Sequence, residues 1–140
     1  MHVSVTRLRL ASWLTIPAFL SASGAAARQA KASTGFLRGR LLVDKRRVFW
    51  TLTAWSDIEA MKAYRDTGAH AAIMPKLLDW CDEAAVAYWQ AEDEGLPSWR
   101  QAHERIAAQG RASRIRRPSP AHAGLTFPPP YVSRLRDQAI

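Results

Sequence analysis

The stretch from Val48 to Trp89 constrains the fold most, because its hydrophobic pattern switches from strand period to helix period and back. VFWTLTAW (48–55) alternates between two faces, as a strand does. SDIEAMKAYRDTG (56–68) sets Ile58, Met61 and Tyr64 or Arg65 along one side at helical spacing. AHAAIMPKLLDWC (69–81) predicts a second short helix, and EAAVAYW (83–89) returns to strand. Placed after an earlier strand, helix and strand, this order closes a two-layer domain of sheet and helices.

The earlier elements are legible. Val3 and Val5 alternate with His2 and Ser4, which predicts a first strand over about residues 2–9. Ser12 can cap a helix whose apolar positions are Ile16, Phe19, Leu20 and Ala27. Pro17 is tolerated near its start, and Thr34 with Gly35 ends it. Phe36–Val43 then meets Val48–Trp55 across DKRR, a short polar hairpin connection. In the second of these strands Val48, Trp50, Leu52 and Ala54 share one face, and Phe49, Thr51, Thr53 and Trp55 share the other. The bulk of Phe49 and Trp55, on a face that ought to meet solvent, marks a pocket wall or a subunit interface.

Ser56 with Glu59 three residues on reads as a capping box, and Asp66-Thr67-Gly68 as the stop of that helix. Pro75 must kink the following helix or open a new turn, and Asp82–Gln90 forms the last long strand. After the polar connection AEDEG, Ser98 and Gln101 read as a second capping box, opening a helix that bears Trp99, Ala102, Ile106 and Ala107 and ends at Gly110. From Arg111 onward there is no hydrophobic periodicity, and prolines at 118, 120, 128, 129 and 130 forbid helix or central strand.

The expectation is therefore a domain over residues 1–108 followed by a basic, proline-rich tail, 109–140, that wraps the domain in part. The fold class is α+β with the order β-α-β-β-α-β, the ferredoxin-like sandwich: a four-stranded antiparallel sheet with its helices on one face. The other face needs cover, and a second copy of the chain is the expected source.

Charge is unevenly spread. Residues 1–47 carry nine Lys/Arg against one acid, 48–108 five against ten, and 109–140 six against one. The basic run RASRIRRPSP can meet phosphates but has neither interleaved aromatics nor a recognition helix, so no specific nucleic-acid partner is expected. Cys81 is the single cysteine, which excludes an internal disulfide; in LLDWC it reads as packing. Residues 1–30 admit two readings. Arg7, Arg9, LASWLTIPAFL and SASGAAA have the layout of a secretory signal, whereas the alternation of HVSV and a helix running on to Arg28 and Lys31 favour a folded segment and a cytoplasmic protein. The apolar stretch is too short to span a bilayer.

His70 lies just after Gly68 at a helix start, where the helix dipole favours the neutral ring. A neutral imidazole can act as a base toward an acidic phenol or enol, ligate haem iron, or simply satisfy a nearby carbonyl. The aromatic residues Trp13, Phe19, Trp50, Trp55 and Trp80 could line an apolar cavity between helices and sheet or could simply fill the core. His2, His70, His103 and His122 are isolated, and no CxxC or HxxxH spacing exists, so no metal site is expected. Glycine-rich phosphate loops and a GxSxG elbow are also missing.

FWTLTAWSDIEAMKAYRDTGAH resembles the strand, Trp-Ser/Asp start and helix of the antibiotic biosynthesis monooxygenase-like proteins, whose homodimers form α/β barrels. RDTGAHAAIMPKLLDWCDEAAVAYW is similar to an uncharacterised bacterial branch of that superfamily, and a related Gly-x-His tract occurs in spheroidene monooxygenase-like proteins. The resemblance covers about residues 2–108. It implies a homodimer and an oxygenase acting on a small apolar or aromatic compound; the alternative is a noncatalytic binding or structural dimer that has lost the site. Members of the superfamily use a first-strand asparagine with a helical tryptophan, and the haem-degrading ones add a haem-binding histidine. This chain has no asparagine. Tyr64 falls at the tryptophan position and Met74 near the haem histidine, so the resemblance implies Tyr64 beside His70 as catalytic candidates, and Thr51, Thr53 or Arg40 as stabilisers of an enolate. No cofactor is expected, haem being the one kept in view.

Overall fold

The computed structural model describes residues 1–92 and 95–140. The connection predicted at 91–95 therefore lies partly outside the described residues. Strand β1 is His2–Leu10; a 3-10 turn at Trp13–Thr15 leads into helix α1, Ile16–Ala32; β2 is Phe36–Val43 and β3 Val48–Trp55. Helices α2 (Ile58–Arg65) and α3 (Gly68–Trp80) follow, then β4 (Cys81–Gln90), α4 (Trp99–Gln109) and the short strands β5 (Arg111–Ala112) and β6 (Asp137–Ala139).

The sheet order is β5-β4-β1-β3-β2-β6 with every neighbouring pair antiparallel. Its inner four strands are those of the ferredoxin-like order, but the sheet has six strands where four were expected. The C-terminal segment supplies the extra two. β5 pairs with β4 and β6 with β2, so both outer edges of the four-stranded core receive hydrogen-bonding partners from the same segment.

The helices are also not confined to one face. Phe49, Thr51, Thr53 and Trp55, expected to face solvent or a partner, point instead toward α1–α3, where Phe19 meets Phe49 at a ring distance of 4.7 Å and Trp55 is wholly buried. The opposite face, with Val3, Val5, Leu42, Trp50 and Leu52, packs against Trp99, Ala102 and Ile106 of α4 and against Phe127 of the tail. The cover expected from a second copy comes from this chain itself. A largely apolar sheet face must be buried, and α4 with the tail buries it.

Beneath that cover lies a buried ion pair. Arg7 donates to Glu83 at 2.6 Å, Ser119 donates to the other carboxylate oxygen at 2.6 Å, and the Phe127 ring stands 4.0 Å from the Arg7 guanidinium. Burial works against the Glu83 carboxylate, yet the hydrogen bonds from Ser119 and Arg7 and the charges of Arg7 and Arg9 hold its pKa below the usual range. His122 ties the tail down a second time. Its Nδ1 accepts from the Ala84 N–H at 3.2 Å, and Nε2–H donates to the Ser113 carbonyl at 2.8 Å.

Ser12 accepts from Leu14 N–H and so caps the 3-10 turn ahead of α1, whose own N-cap, Thr15, makes no side-chain bond; the Ser98/Gln101 box is formed in both directions. The cap of α2 is Asp57, not Ser56: the Asp57 carboxylate accepts from Ala60 N–H at 2.8 Å. Two adjacent residues can cap, and the carboxylate lies at the position whose backbone is extended. In α1 the buried residues are Phe19, Ala26 and Ala30, while Leu20 is half exposed: Phe19 packs on Phe49, and Ala30 clusters with Trp55 and Met61. Ala107 is likewise exposed. Cys81 opens β4 rather than closing α3; it is buried, and burial pushes its thiol up to about 12, which leaves it inert. Pro75 sits inside an α3 that continues through it.

Candidate functional site

Strand alternation puts Ser4, Thr6 and Leu8 of β1 on the same face as Thr51 and Thr53 of β3. The antiparallel register sets Ser4 opposite Thr53 and Thr6 opposite Thr51, so the middle of the sheet carries a hydroxyl ladder facing the helices. Above it, the alanines of α1 leave room. A cavity of about 350 Å³ opens between this floor and a roof that includes Phe19, Ala26, Tyr64, His70, Ile73 and Met74.

Tyr64 and His70 meet at one end of the cavity. The Tyr64 ring stacks on Trp55 at 5.0 Å and lies 4.8 Å from the His70 ring. The Tyr64 hydroxyl donates to the Ala26 carbonyl at 3.1 Å, and burial pushes its pKa up to about 12, so it stays protonated at neutral pH. His70 is held differently. Its Nδ1–H donates to the Arg65 carbonyl at 3.0 Å, which fixes the neutral tautomer with the lone pair on Nε2. Burial first, and then the neighbouring Arg65 charge, lower its pKa despite the carbonyl hydrogen bond.

Gln29 of α1 organises this end, and sequence reasoning missed it. Its Nε2 donates to the carbonyls of Tyr64 at 3.1 Å and Thr67 at 2.8 Å, while its Oε1 accepts from the His70 N–H at 2.8 Å. One amide thus satisfies the free groups where α2 ends and α3 begins. Gly68 makes the turn possible, with φ +61° and the Gln29 side chain 3.1 Å from where a Cβ would stand.

Of the aromatic residues proposed for a cavity, Phe19 and Trp55 lie on its wall. Trp50 is on the opposite face of the sheet under α4, its Nε1–H donating to Asp44 at 3.0 Å. Trp13 is exposed with Arg47 over its ring, and Trp80 packs beside Phe19 and Ile73 away from the cavity wall. Thr51 and Thr53 belong to the floor, although the Thr53 hydroxyl already accepts from Trp55 Nε1–H at 2.9 Å. Arg40 is not at the site, since it pairs with Asp137 of β6 at 2.9 Å. Ser4, Thr6, Tyr88, Arg111 and Arg114 also line it. The first two could have been found by extending the alternation of HVSV to Thr6; the arginines could not, because nothing local says where the tail runs.

Among the described residues no group of three His, Cys, Asp or Glu side chains converges, and no helix is long and apolar enough to cross a membrane.

A family model described as Domain of unknown function (DUF3291) matches residues 15–136, well into the C-terminal segment. No curated protein matches by sequence. Solved structures share the fold. An antibiotic biosynthesis monooxygenase is 16% identical with a TM-score of 0.59, over 66% of this chain and 100% of its own. SnoaB, a cofactor-independent oxygenase from Streptomyces nogalater, is 20% identical with a TM-score of 0.52, over 66% and 93%. The NE2512 protein of unknown function from Nitrosomonas europaea is 17% identical with a TM-score of 0.57, over 69% and 94%. At such identities the likeness is one of fold.

Proposed function

This chain belongs to the DUF3291 family, and from that premise we propose that its cavity binds a small apolar or aromatic molecule on which His70 acts as a base in an oxygenation that needs no metal. One observation carries the reading: the Arg65 carbonyl holds His70 Nδ1–H and leaves Nε2 as an open acceptor on a residue of the cavity wall. A neutral imidazole there can take a proton from an acidic carbon, as in an anthrone-type methylene. The resulting carbanion is oxidised by molecular oxygen; one oxygen atom becomes the new carbonyl and the other leaves as water. Ser4, Thr6 and Thr51 supply hydroxyls along the floor for the developing enolate oxygen. Tyr64, held neutral, positions the ring of His70 and the substrate rather than exchanging protons. The solved neighbour described as a cofactor-independent oxygenase lends this chemistry support by fold alone.

A cavity of about 350 Å³ is near the small end for ligand sites and suits two or three fused rings rather than a porphyrin, so no resident haem is proposed. Titration with haemin, expected to give no Soret band that depends on His70, checks this. The resemblance also implies a homodimer. The Phe49/Trp55 face on which pairing was expected is covered by α1–α3 and the opposite face by α4 and Phe127, so pairing falls to another surface, and light scattering of the full chain decides it. Residues once readable as a secretory signal include the central strand β1, so the reading keeps them in the folded protein and places it in the cytoplasm.

The test is oxygen uptake with anthrone. Wild-type protein should exceed the uncatalysed rate, and His70→Ala should lose about 10²-fold or more, the usual size of a general-base contribution. Uptake unaffected by His70→Ala removes the proposed base. Binding of anthrone without uptake favours the second reading, a binding protein without catalysis, which the missing asparagine and the engaged Tyr64 hydroxyl support.

A further inference from the structure

The charged side chains on the cavity lining are all of one sign. Arg65, Arg111 and Arg114 are present, and no Asp or Glu lines the cavity among the described residues. Arg65 is neutralised by Asp66, its Nε donating at 2.8 Å. The other two have no such partner: among the described residues neither Arg111 nor Arg114 is in an ion pair. Arg111 makes only a long 3.4 Å contact to the Tyr88 hydroxyl, beside whose ring it lies at 5.6 Å.

Their position is set by the backbone and not by chance contact of a loose tail. Ala112 and Arg111 pair with Ala85 and Val86 of β4, and the Ser113 N–H donates to the Ala84 carbonyl at 2.8 Å. The strap at 111–113 is pinned again by His122, which accepts the Ala84 N–H and donates to the Ser113 carbonyl. The backbone that carries these two exposed arginines is thereby fixed at the β4 edge of an apolar cavity whose floor carries hydroxyls.

We propose that the cavity takes an apolar monocarboxylate, its hydrocarbon part between α1, α3 and the sheet and its carboxylate at the mouth between Arg111 and Arg114. The inference rests on the cavity reading above and adds the charge of the ligand. Guanidinium groups bind carboxylates through paired N–H donors and lose less on desolvation than ammonium groups do, which suits a half-open mouth. A neutral ligand would leave both charges unused.

Calorimetric titration of the full chain with 2-naphthoate and with decanoate, each against its methyl ester, tests this. At least one carboxylate should bind about tenfold or more tightly than its ester, a margin that shrinks with added salt. Which of the two binds distinguishes a flat ligand from a chain-like one. R111Q/R114Q should bring the acid down to the affinity of its ester and leave the ester unchanged; should that double variant fail to fold by circular dichroism, R114Q carries the comparison, because Arg114 lies outside β5 and is exposed. Ala27→Phe, which narrows the cavity, should weaken every compound that binds. Equal binding of acid and ester, or a preference that survives the arginine variants, overturns the charge inference and leaves the cavity reading standing. If none of the four compounds binds, both fall.

Discussion

Single residues decide how this protein responds to pH. His70 and His2 are both held below their ordinary value of 6.5, chiefly by burial, so the unfolded chain takes up protons before the folded one does. Stability from these groups is complete above pH 6.5 and is lost as pH falls through their folded pKa values. Thermal melts should be flat from about pH 8 to 7 and decline below 6.5, with His70→Gln making that decline shallower. Glu83 acts at lower pH. Its depressed pKa contributes stability that is present above its ordinary 4.5 and disappears on further acidification. Removing that carboxylate is the harsher experiment. Glu83→Ala leaves Arg7 charged and buried, and should cost about 3–5 kcal/mol in urea unfolding; Arg7→Met with Glu83→Leu should restore most of the loss.

At the scale of elements, the start of α2 offers a clean discrimination between two adjacent capping candidates. Asp57→Ala should cost about 1 kcal/mol and Ser56→Ala less than about 0.5 kcal/mol, read from urea midpoints at constant slope. The strand periods were readable because side chains alternate strictly: β1, β2, β3 and β4 emerge within a residue or two of where alternation puts them. Helix faces were less legible. α1 buries Ala26 and Ala30 and exposes Leu20, an inversion of hydrophobicity set by where the helix meets α3, Trp55 and Met61, which no local pattern encodes. Gln29 was invisible for a related reason. A single amide that joins α1 to the α2–α3 junction matters only once the three helices are placed together.

For the molecule as a whole, the C-terminal segment is the part that changes the reading. It closes both sheet edges, covers one sheet face and brings two arginines to the cavity on the other. If Phe127 holds that cover, Phe127→Asp should raise the fluorescence of an apolar dye and shift the mass in light scattering toward larger species, because a sheet face bearing Val3, Val5 and Leu52 becomes wet. Unchanged dye binding and mass would assign the cover to α4 alone.

The sequence by itself determined the order of strands and helices, the hairpin at 44–47, the capping box at Ser98 and the presence of His70 beside a glycine turn, because each of these depends on residues within a few positions of one another. Only the tertiary structure decided which face of the sheet receives the helices, that the tail supplies β5 and β6, and that Tyr64 and His70, tied at the backbone by Gln29, meet at one cavity. Those outcomes depend on contacts between residues distant in sequence. Alternation makes both faces of a strand equally readable, and only the competition between α1–α3 and the C-terminal segment for the two apolar faces assigns them.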